Sequence, residues 1–303
     1  LSARPLRLLE LFCGIGGCAA ALRDRVQIVA AVDQNRRALA AYQANFCHPI
    51  YPHVVESIPD RTWRGWHADV WWMSPPCQPF TARGRRRDLD DPRARGLVAV
   101  FARVAALRPR VVALENVLGF AGSRAHQLAR DVLDRAGYTT RETTLCPTEL
   151  GLPNRRPRFY LLASQEALPD WPSRQGPPVT LQDILDTDPS PSLWCDPELE
   201  RRYAGALDVA DAAEPTASTA CFTSAYGRSI VRSGSYLRTS SGLRRFSAGE
   251  ILRLLEFPRT YELPCELSPG AGWSLVGNSV SVRAVRWLFR PILDVAPTVP
   301  TVP

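Results

Sequence analysis

The turn FCGIGG, Phe12 to Gly17, constrains this chain more than any other feature. It follows the apolar run LRLLELF (Leu6–Phe12), opens the helical stretch AAALRD, and precedes a second strand-like run, VQIVAAVD (Val26–Asp33). Strand, glycine turn, helix and strand form a unit that lays two strands parallel and brings backbone N–H groups to the sheet edge, where a phosphate or carboxylate is accepted. Asp33 closes the second strand about twenty residues on, where an acid binds ribose hydroxyls; the plainer role for it is helix N-cap of DQNRRAL. The pattern is FxGxGG rather than GxGxxG, which counts against a nicotinamide dinucleotide. S-adenosylmethionine has a ribose, an adenine and a carboxylate but no pyrophosphate, and suits this variant better.

Further along, DVWWMS (Asp69–Ser74), VVALEN (Val111–Asn116) and RFYLLAS (Arg158–Ser164) read as buried strands, with the helical patterns LVAVFARVAAL and HQLARDVLDRAG among them. This alternation predicts an α/β fold whose mostly parallel sheet carries helices on both faces. Proline-rich, weakly periodic sequence begins at Leu168. Helical spacing returns in FSAGEILRLLEF (Phe246–Phe257) and NSVSVRAVRWLF (Asn278–Phe289). The expected organisation is a catalytic and cofactor-binding domain over 1–167, a small inserted domain over 168–238, and C-terminal segments over 239–303 that complete the first domain.

The 303 residues carry a net charge of +7 with no lysine, so every basic side chain other than histidine is arginine. Guanidinium groups grip phosphates through paired hydrogen bonds and stack on bases, which suits a nucleic-acid partner. A GC-rich genome produces the same bias, so charge permits that partner without establishing it. The eight cysteines form no CxxC pair, which argues against zinc and against a thioredoxin-like motif. They read as reduced cytosolic thiols, and no apolar run is long enough for a membrane span. The expectation is a cytoplasmic protein with no metal, and nothing demands more than a monomer.

Chemistry concentrates in MSPPCQPFTARGRRR (Met73–Arg87). Cys77 follows a strand, at the carboxyl edge where open α/β sheets bind ligands, and Pro75 and Pro76 stiffen its approach. A cysteine is mostly thiol at neutral pH, so a nucleophile needs positive charge nearby. NRRPRFY supplies Arg156 and Arg158, expected on one alternating face of a starting strand. Glu115 ends the strand in LENV; among apolar neighbours its carboxyl would serve as a proton donor. Together these groups suit thiolate addition to carbon-6 of a pyrimidine, which makes carbon-5 nucleophilic towards a sulfonium methyl. Taken singly, Cys77 also reads as a small buried hydrophobe and Glu115 as half of an ordinary salt bridge.

LELFCGIGG, PPCQPF, LENV, NRRPR, RRFSAGEILRLLEFP and GNSV, in this order, resemble the motifs of the cytosine carbon-5 methyltransferase family. The resemblance implies a Rossmann-like S-adenosylmethionine-dependent fold with a small target-recognition domain. It also implies cofactor contacts from Phe12, Gly14, Gly16, Asp33, Glu56, Pro76 and Asn278, a nucleophile in Cys77, a contact from Glu115 to N3 of the base, and base-holding by Arg156 and Arg158. CFTSAYGRSIVRSGSYL (Cys221–Leu237) resembles the tRNA-aspartate branch, DNA methyltransferase homologue two, which implies methylation of cytosine at position 38 in the tRNA anticodon loop. Nucleic-acid contacts are then expected from Arg83, Arg85, Arg86, Arg87, Cys221, Phe222, Thr223 and Tyr226. Leu118, where the branch often has lysine, and the arginine-rich segment after Cys77 depart from that pattern. The alternatives are a DNA methyltransferase of the same mechanism and a catalytically silent nucleic-acid-binding protein.

Overall fold

The computed structural model describes residues 4–81 and 87–294. In chain order the elements are β1 (Leu6–Leu11), α1 (Gly17–Leu22), β2 (Val26–Val32), α2 (Arg36–Asn45), β3 (Ile50–Tyr51), α3 (Asp60–Gly65), β4 (Val70–Met73), α4 (Arg95–Leu107), β5 (Val111–Asn116), α5 (Arg124–Arg135) and β6 (Thr139–Leu145). There follow β7 (Asn154–Arg155), β8 (Arg158–Ser164), α6 (Pro197–Arg202), β9 (Val209–Asp211), β10 (Thr219–Ala220), β11 (Tyr236–Thr239) and β12 (Gly242–Arg245). The helices α7 (Ala248–Leu254), α8 (Pro269–Gly277), α9 (Val282–Leu288) and α10 (Arg290–Leu293) complete the described chain.

The described residues divide into two compact units, one within Leu1–Leu145, Pro157–Pro172 and Val285–Pro303, the other formed by Cys146–Arg156 and Ser173–Ala284. The second is larger than the 168–238 segment marked by composition. It takes in α7 and α8, and Trp273 of α8 packs on Tyr226.

The first unit is built on a seven-stranded sheet in the order β3-β2-β1-β4-β5-β8-β6. Its inner strands β4, β5 and β8 are apolar runs without alternation because both faces are covered, whereas the edge strand β6 is polar. On one face Leu9, Leu11, Trp71, Met73, Val112, Leu114 and Leu161 pack with Trp63 of α3, Phe101 of α4 and Leu133 of α5. On the other, Trp72 meets Phe289 and Glu10 meets Tyr42 of α2. Strand order reverses at β1, flanked by β2 and β4, both parallel to it. A crevice at the carboxyl ends of such strands is where open α/β sheets take ligands.

The sheet departs from the expected parallel arrangement at β8, which runs antiparallel to both β5 and β6. Phe159 pairs with Asn116 and Tyr160 with Glu115. The amino end of β8 therefore lies at the same edge as the carboxyl end of β5.

In the second unit β12, β11 and β9 form a small sheet, and β10 pairs with β7. The motif RRFSAGE explains its strongest polar contact. Arg244 and Glu250, both buried, form a two-pronged pair at 2.8 and 2.6 Å. The same carboxylate accepts from the Ser247 N–H, closing a capping box on α7, and from the Asp186 N–H. Removing one partner of a buried pair leaves the other charge uncompensated, at a cost of about 3–5 kcal/mol. Glu250→Ala is expected to lower stability by about that amount, read from denaturant midpoints, whereas truncating the exposed Glu198 partner of Arg201 should cost under about 1 kcal/mol.

Candidate active site

The glycine turn folds as its residue types require. Gly14 and Gly16 have φ of +53° and +84°, the left-handed region that glycine enters without penalty. At Gly16 a Cβ would also sit 2.6 Å from the Phe46 ring. Asp33 reaches across from the end of β2 and accepts from the Gly14 N–H at 2.9 Å and the Asn35 N–H at 2.8 Å. It is not the N-cap of α2; Asn35 holds that position, accepting from the N–H groups of Arg37 and Ala38. Burial pushes the Asp33 carboxyl upward, partly offset by these backbone donors. Phe12 and Glu56 converge near Gly96, where a Cβ would lie 3.0 Å from the Phe12 ring and 3.6 Å from Glu56 Oε2. A turn lined by the carboxyl groups of Asp33 and Glu56 repels a pyrophosphate and suits ribose hydroxyls or a cation.

Beneath this turn lies a group that sequence reasoning missed. Glu10 is buried on β1; its Oε1 accepts from the Cys18 N–H at 3.2 Å and its Oε2 from the Tyr42 hydroxyl at 3.1 Å. Gly16, the N-cap of α1, offers no side chain, so Glu10 serves the first turn of that helix from the sheet. Burial raises its pKa to about 8, and Tyr42 in turn touches His48 Nδ1 at 3.0 Å. Its only sequence signal is an acid inside an apolar strand.

The second cluster sits at the ends of β4, β5 and β8. Cys77 is half-buried, unlike Cys13 and Cys18, whose thiols burial holds well above the ordinary range. Its turn is closed by the Phe80 N–H donating to the Cys77 carbonyl at 2.9 Å. Buried Asn116 donates to the Pro75 carbonyl at 3.2 Å, tying the two prolines to the end of β5. Gly119 admits the turn closely, since a Cβ there would lie 2.3 Å from the Phe80 carbonyl oxygen. Arg158 Nε lies 3.2 Å from Glu115 Oε1, with side-chain exposures of 15% and 9%. The salt bridge therefore exists, and it is mostly shielded from water. Arg93, not singled out from sequence, is fixed by two bonds to buried Asp91 at 2.9 and 2.7 Å. Its pKa is raised chiefly by the hydrogen bond to Asp91, with a smaller contribution from the Cys77 charge.

Arg156 does not share a face with Arg158. Pro157 separates β7 from β8, and Arg156 belongs to the second unit, buried, with its guanidinium donating to the carbonyls of Phe222, Gly277 and Ser279. Phe222 and Tyr226 are core residues of that unit and not an exposed stacking surface. Their rings pack edge to face at 4.8 Å, and the Tyr226 hydroxyl donates to Ser235 O and accepts from the Phe246 N–H. The glycines of the signature serve this packing: a Cβ at Gly227 would meet Trp273 at 2.2 Å, and one at Gly234 would meet Phe222 at 2.4 Å. Cys221 and Thr223 are half-buried, and Asn278 is exposed at the end of α8. Arg87 is exposed, while Arg83, Arg85 and Arg86 lie outside the described residues. Among the described residues no group of three or more His, Cys, Asp or Glu could hold a metal, and no helix is long and apolar enough to cross a membrane.

A glycine turn with an acid at the next strand, joined in one sheet to a cysteine, a glutamate and an arginine at strand ends, defines an enzyme class. Residues 6–206 match the family model described as C-5 cytosine-specific DNA methylase, and the chain belongs to that family. It is a cytosine carbon-5 methyltransferase. It is 28% identical to the tRNA (cytosine(38)-C(5))-methyltransferase of Spodoptera frugiperda, over 95% of this chain and 99% of the relative. The crystal structure of S. pombe Dnmt2 methyltransferase superposes with a TM-score of 0.84 at 28% identity, covering 95% of this chain and 98% of that one. The Entamoeba histolytica methyltransferase EhMeth shares the fold at a TM-score of 0.89 and 23% identity, covering 96% and 99%.

The raised pKa of Glu10 gives a pH signature. Between the ordinary carboxylate range and about 8, an unfolded chain ionises this group while the folded one keeps it protonated, so stability falls as pH rises through that window. Glu10→Gln retains the hydrogen-bonding shape and cannot ionise. Relative to wild type it should gain stability from pH 5 to pH 8, on the order of a few kcal/mol, in urea titrations. A constant difference across that range contradicts the assignment.

Proposed function

We propose that this enzyme methylates carbon-5 of cytosine in tRNA, at position 38 of the anticodon loop, through a covalent adduct on Cys77. The observation that carries the chemistry is that the turn of Cys77 follows β4 at the sheet edge where Glu115 pairs with Arg158. The tRNA reading is supported by the similarity to the S. frugiperda tRNA enzyme over nearly all of both chains. An anticodon loop also presents unpaired bases that can be turned out of the stack.

In this reading Cys77 adds as thiolate to carbon-6, and the electron pair of the 5,6 double bond moves into the ring. Glu115 shares a proton with N3 of the base, and Arg158 holds both Glu115 and the ring oxygen O2. Carbon-5 is then nucleophilic. S-adenosylmethionine, when bound, supplies an electrophilic methyl group. Loss of the carbon-5 proton to a base and cleavage of the sulfur–carbon-6 bond restore the ring and free Cys77. Phe12, Gly14, Gly16, Asp33, Glu56 and Pro76 are the residues we assign to the cofactor. The acidic lining around Asp33 and Glu56 fits a sulfonium and a ribose. Arg87, with Arg83, Arg85 and Arg86, is assigned to the phosphate backbone.

Cys77→Ala is expected to abolish methyl transfer and the gel-stable complex with 5-fluorocytosine-containing RNA, while S-adenosylhomocysteine affinity stays within about twofold. Arg158→Lys keeps the charge but loses the planar fork, and should lower kcat by about 10²-fold or more. Tritiated methyl transfer to total tRNA and to genomic DNA decides the substrate. Labelling of DNA with none in tRNA would make this a DNA methyltransferase using the same residues, and labelling of neither would favour a silent binding protein.

A further inference from the structure

Asp88 ties the turn of Cys77 to α5, a helix that the proposed chemistry leaves unused. Its backbone N–H donates to the carbonyl of Pro79, two residues beyond Cys77, at 3.3 Å. Its carboxylate lies on the first turn of α5, where Oδ2 accepts from the Arg124 N–H at 2.6 Å and Oδ1 from the Ala125 N–H at 3.1 Å. A helix leaves its first four N–H groups without intrahelical acceptors. In α5 the Ser123 hydroxyl accepts from the His126 N–H, and the first turn holds no acid of its own. Asp88 supplies two further acceptors and the negative charge that a helix N-terminus favours. Its side chain is 17% exposed, so both bonds are largely shielded from water. The neighbouring pair of Arg124 with Asp90 is exposed on both sides and contributes little.

The backbone of Asp88 takes an uncommon shape where these contacts meet. Its φ is +54°, in the left-handed region that few residues other than glycine, asparagine and aspartate enter. The helix it caps is a firm support, because Ala125, Ala129 and Leu133 of α5 are buried in the core beside the sheet. The Cys77 turn is therefore held on both sides of the cysteine. Asn116 grips it before Cys77 at Pro75, and Asp88 grips it after Cys77 at Pro79.

We propose that Asp88 is a positioning residue for Cys77: by capping α5 with its carboxylate while its N–H holds Pro79, it fixes the turn that presents the sulfur. This rests on the reading of Cys77 as the nucleophile. It gives Asp88 no contact with substrate or cofactor, so its effect belongs to the rate of the bound complex and not to binding.

Asp88→Gly removes the carboxylate but keeps a residue that adopts positive φ without penalty, so the backbone shape is not the variable. With the turn loosened, kcat for methyl transfer should fall about tenfold or more, while the KM for the nucleic-acid substrate stays within about threefold. Asp88→Asn keeps a capping oxygen and tolerates the same φ, and should bring kcat back to within about threefold of wild type. An unchanged kcat in Asp88→Gly overturns the proposal. So does a raised KM at full kcat, which would put Asp88 on the substrate. An Asn variant as slow as the Gly variant would assign the effect to charge and overturn it as well.

Amide hydrogen exchange reads the same link without turnover. In Asp88→Gly, exchange should quicken at Arg124 and Ala125 and also at Phe80, whose N–H closes the Cys77 turn, while the amides of β4 and β5 stay protected as in the wild-type protein. Faster exchange at 124–125 with Phe80 unchanged means that the cap does not reach the turn, and the proposal fails. Cys77→Ala separates the two failures. If that variant still transfers methyl groups, the nucleophile is misassigned, whereas the link from α5 to the turn is judged by exchange alone.

Discussion

The direction of β8 is the constraint on which the reactive edge depends. In a parallel sheet the start of a strand lies opposite the carboxyl ends of its neighbours. Because β8 runs antiparallel to β5, Arg158 at its first position reaches the same edge as Glu115, and the two meet at 3.2 Å with little water around them. A guanidinium there does two things that a single residue on β5 could not. It fixes the carboxylate geometrically, and it brings positive charge to the edge reached by Cys77.

The turn that carries Cys77 and the glycine turn are held by backbone contacts more than by side-chain charge. Asn116 grips Pro75, Gly119 lets Phe80 approach, and Asp33 stitches the end of β2 to Gly14. Each uses a group whose position is set by the sheet, so the loops inherit the sheet's rigidity. Such placement matters because reacting groups act fastest when held in order beforehand. Glu10 extends the same logic below the surface: a mostly neutral carboxyl serves the first turn of α1 without adding a full negative charge beneath the glycine turn.

The second unit uses its signature residues for construction. The aromatic residues and glycines of CFTSAYGRSIVRSGSYL interlock in a core shared with Phe246 and Trp273, leaving the half-buried Cys221 and Thr223 nearer its surface. Its inner polar framework is equally specific. Arg244 and Glu250 are spent on each other, whereas Arg156 is spent on backbone carbonyls of two turns. These two buried arginines have opposite electrostatic solutions, one neutralised by charge and one solvated by dipoles.

Much of this was written in local pattern. The strands Val111–Asn116 and Arg158–Ser164 lie where apolar runs place them, and the glycine turn declares itself through φ values that other residues avoid. The residue types at Cys77, Glu115 and Asp33 point to a chemistry because nucleophilicity, acidity and hydroxyl binding are properties of side chains. Sequence cannot say which neighbour a strand takes or which way it runs, since pairing is decided by contacts far apart in the chain. Alternation therefore put Arg156 beside Arg158, and only the fold, with the unit boundary between Arg156 and Pro157, sent one inward to backbone carbonyls and the other to Glu115. Likewise the aromatic rings of Phe222 and Tyr226 look equally apt for stacking on bases or filling a core. Burial, which is a collective outcome of packing, assigned them to the core.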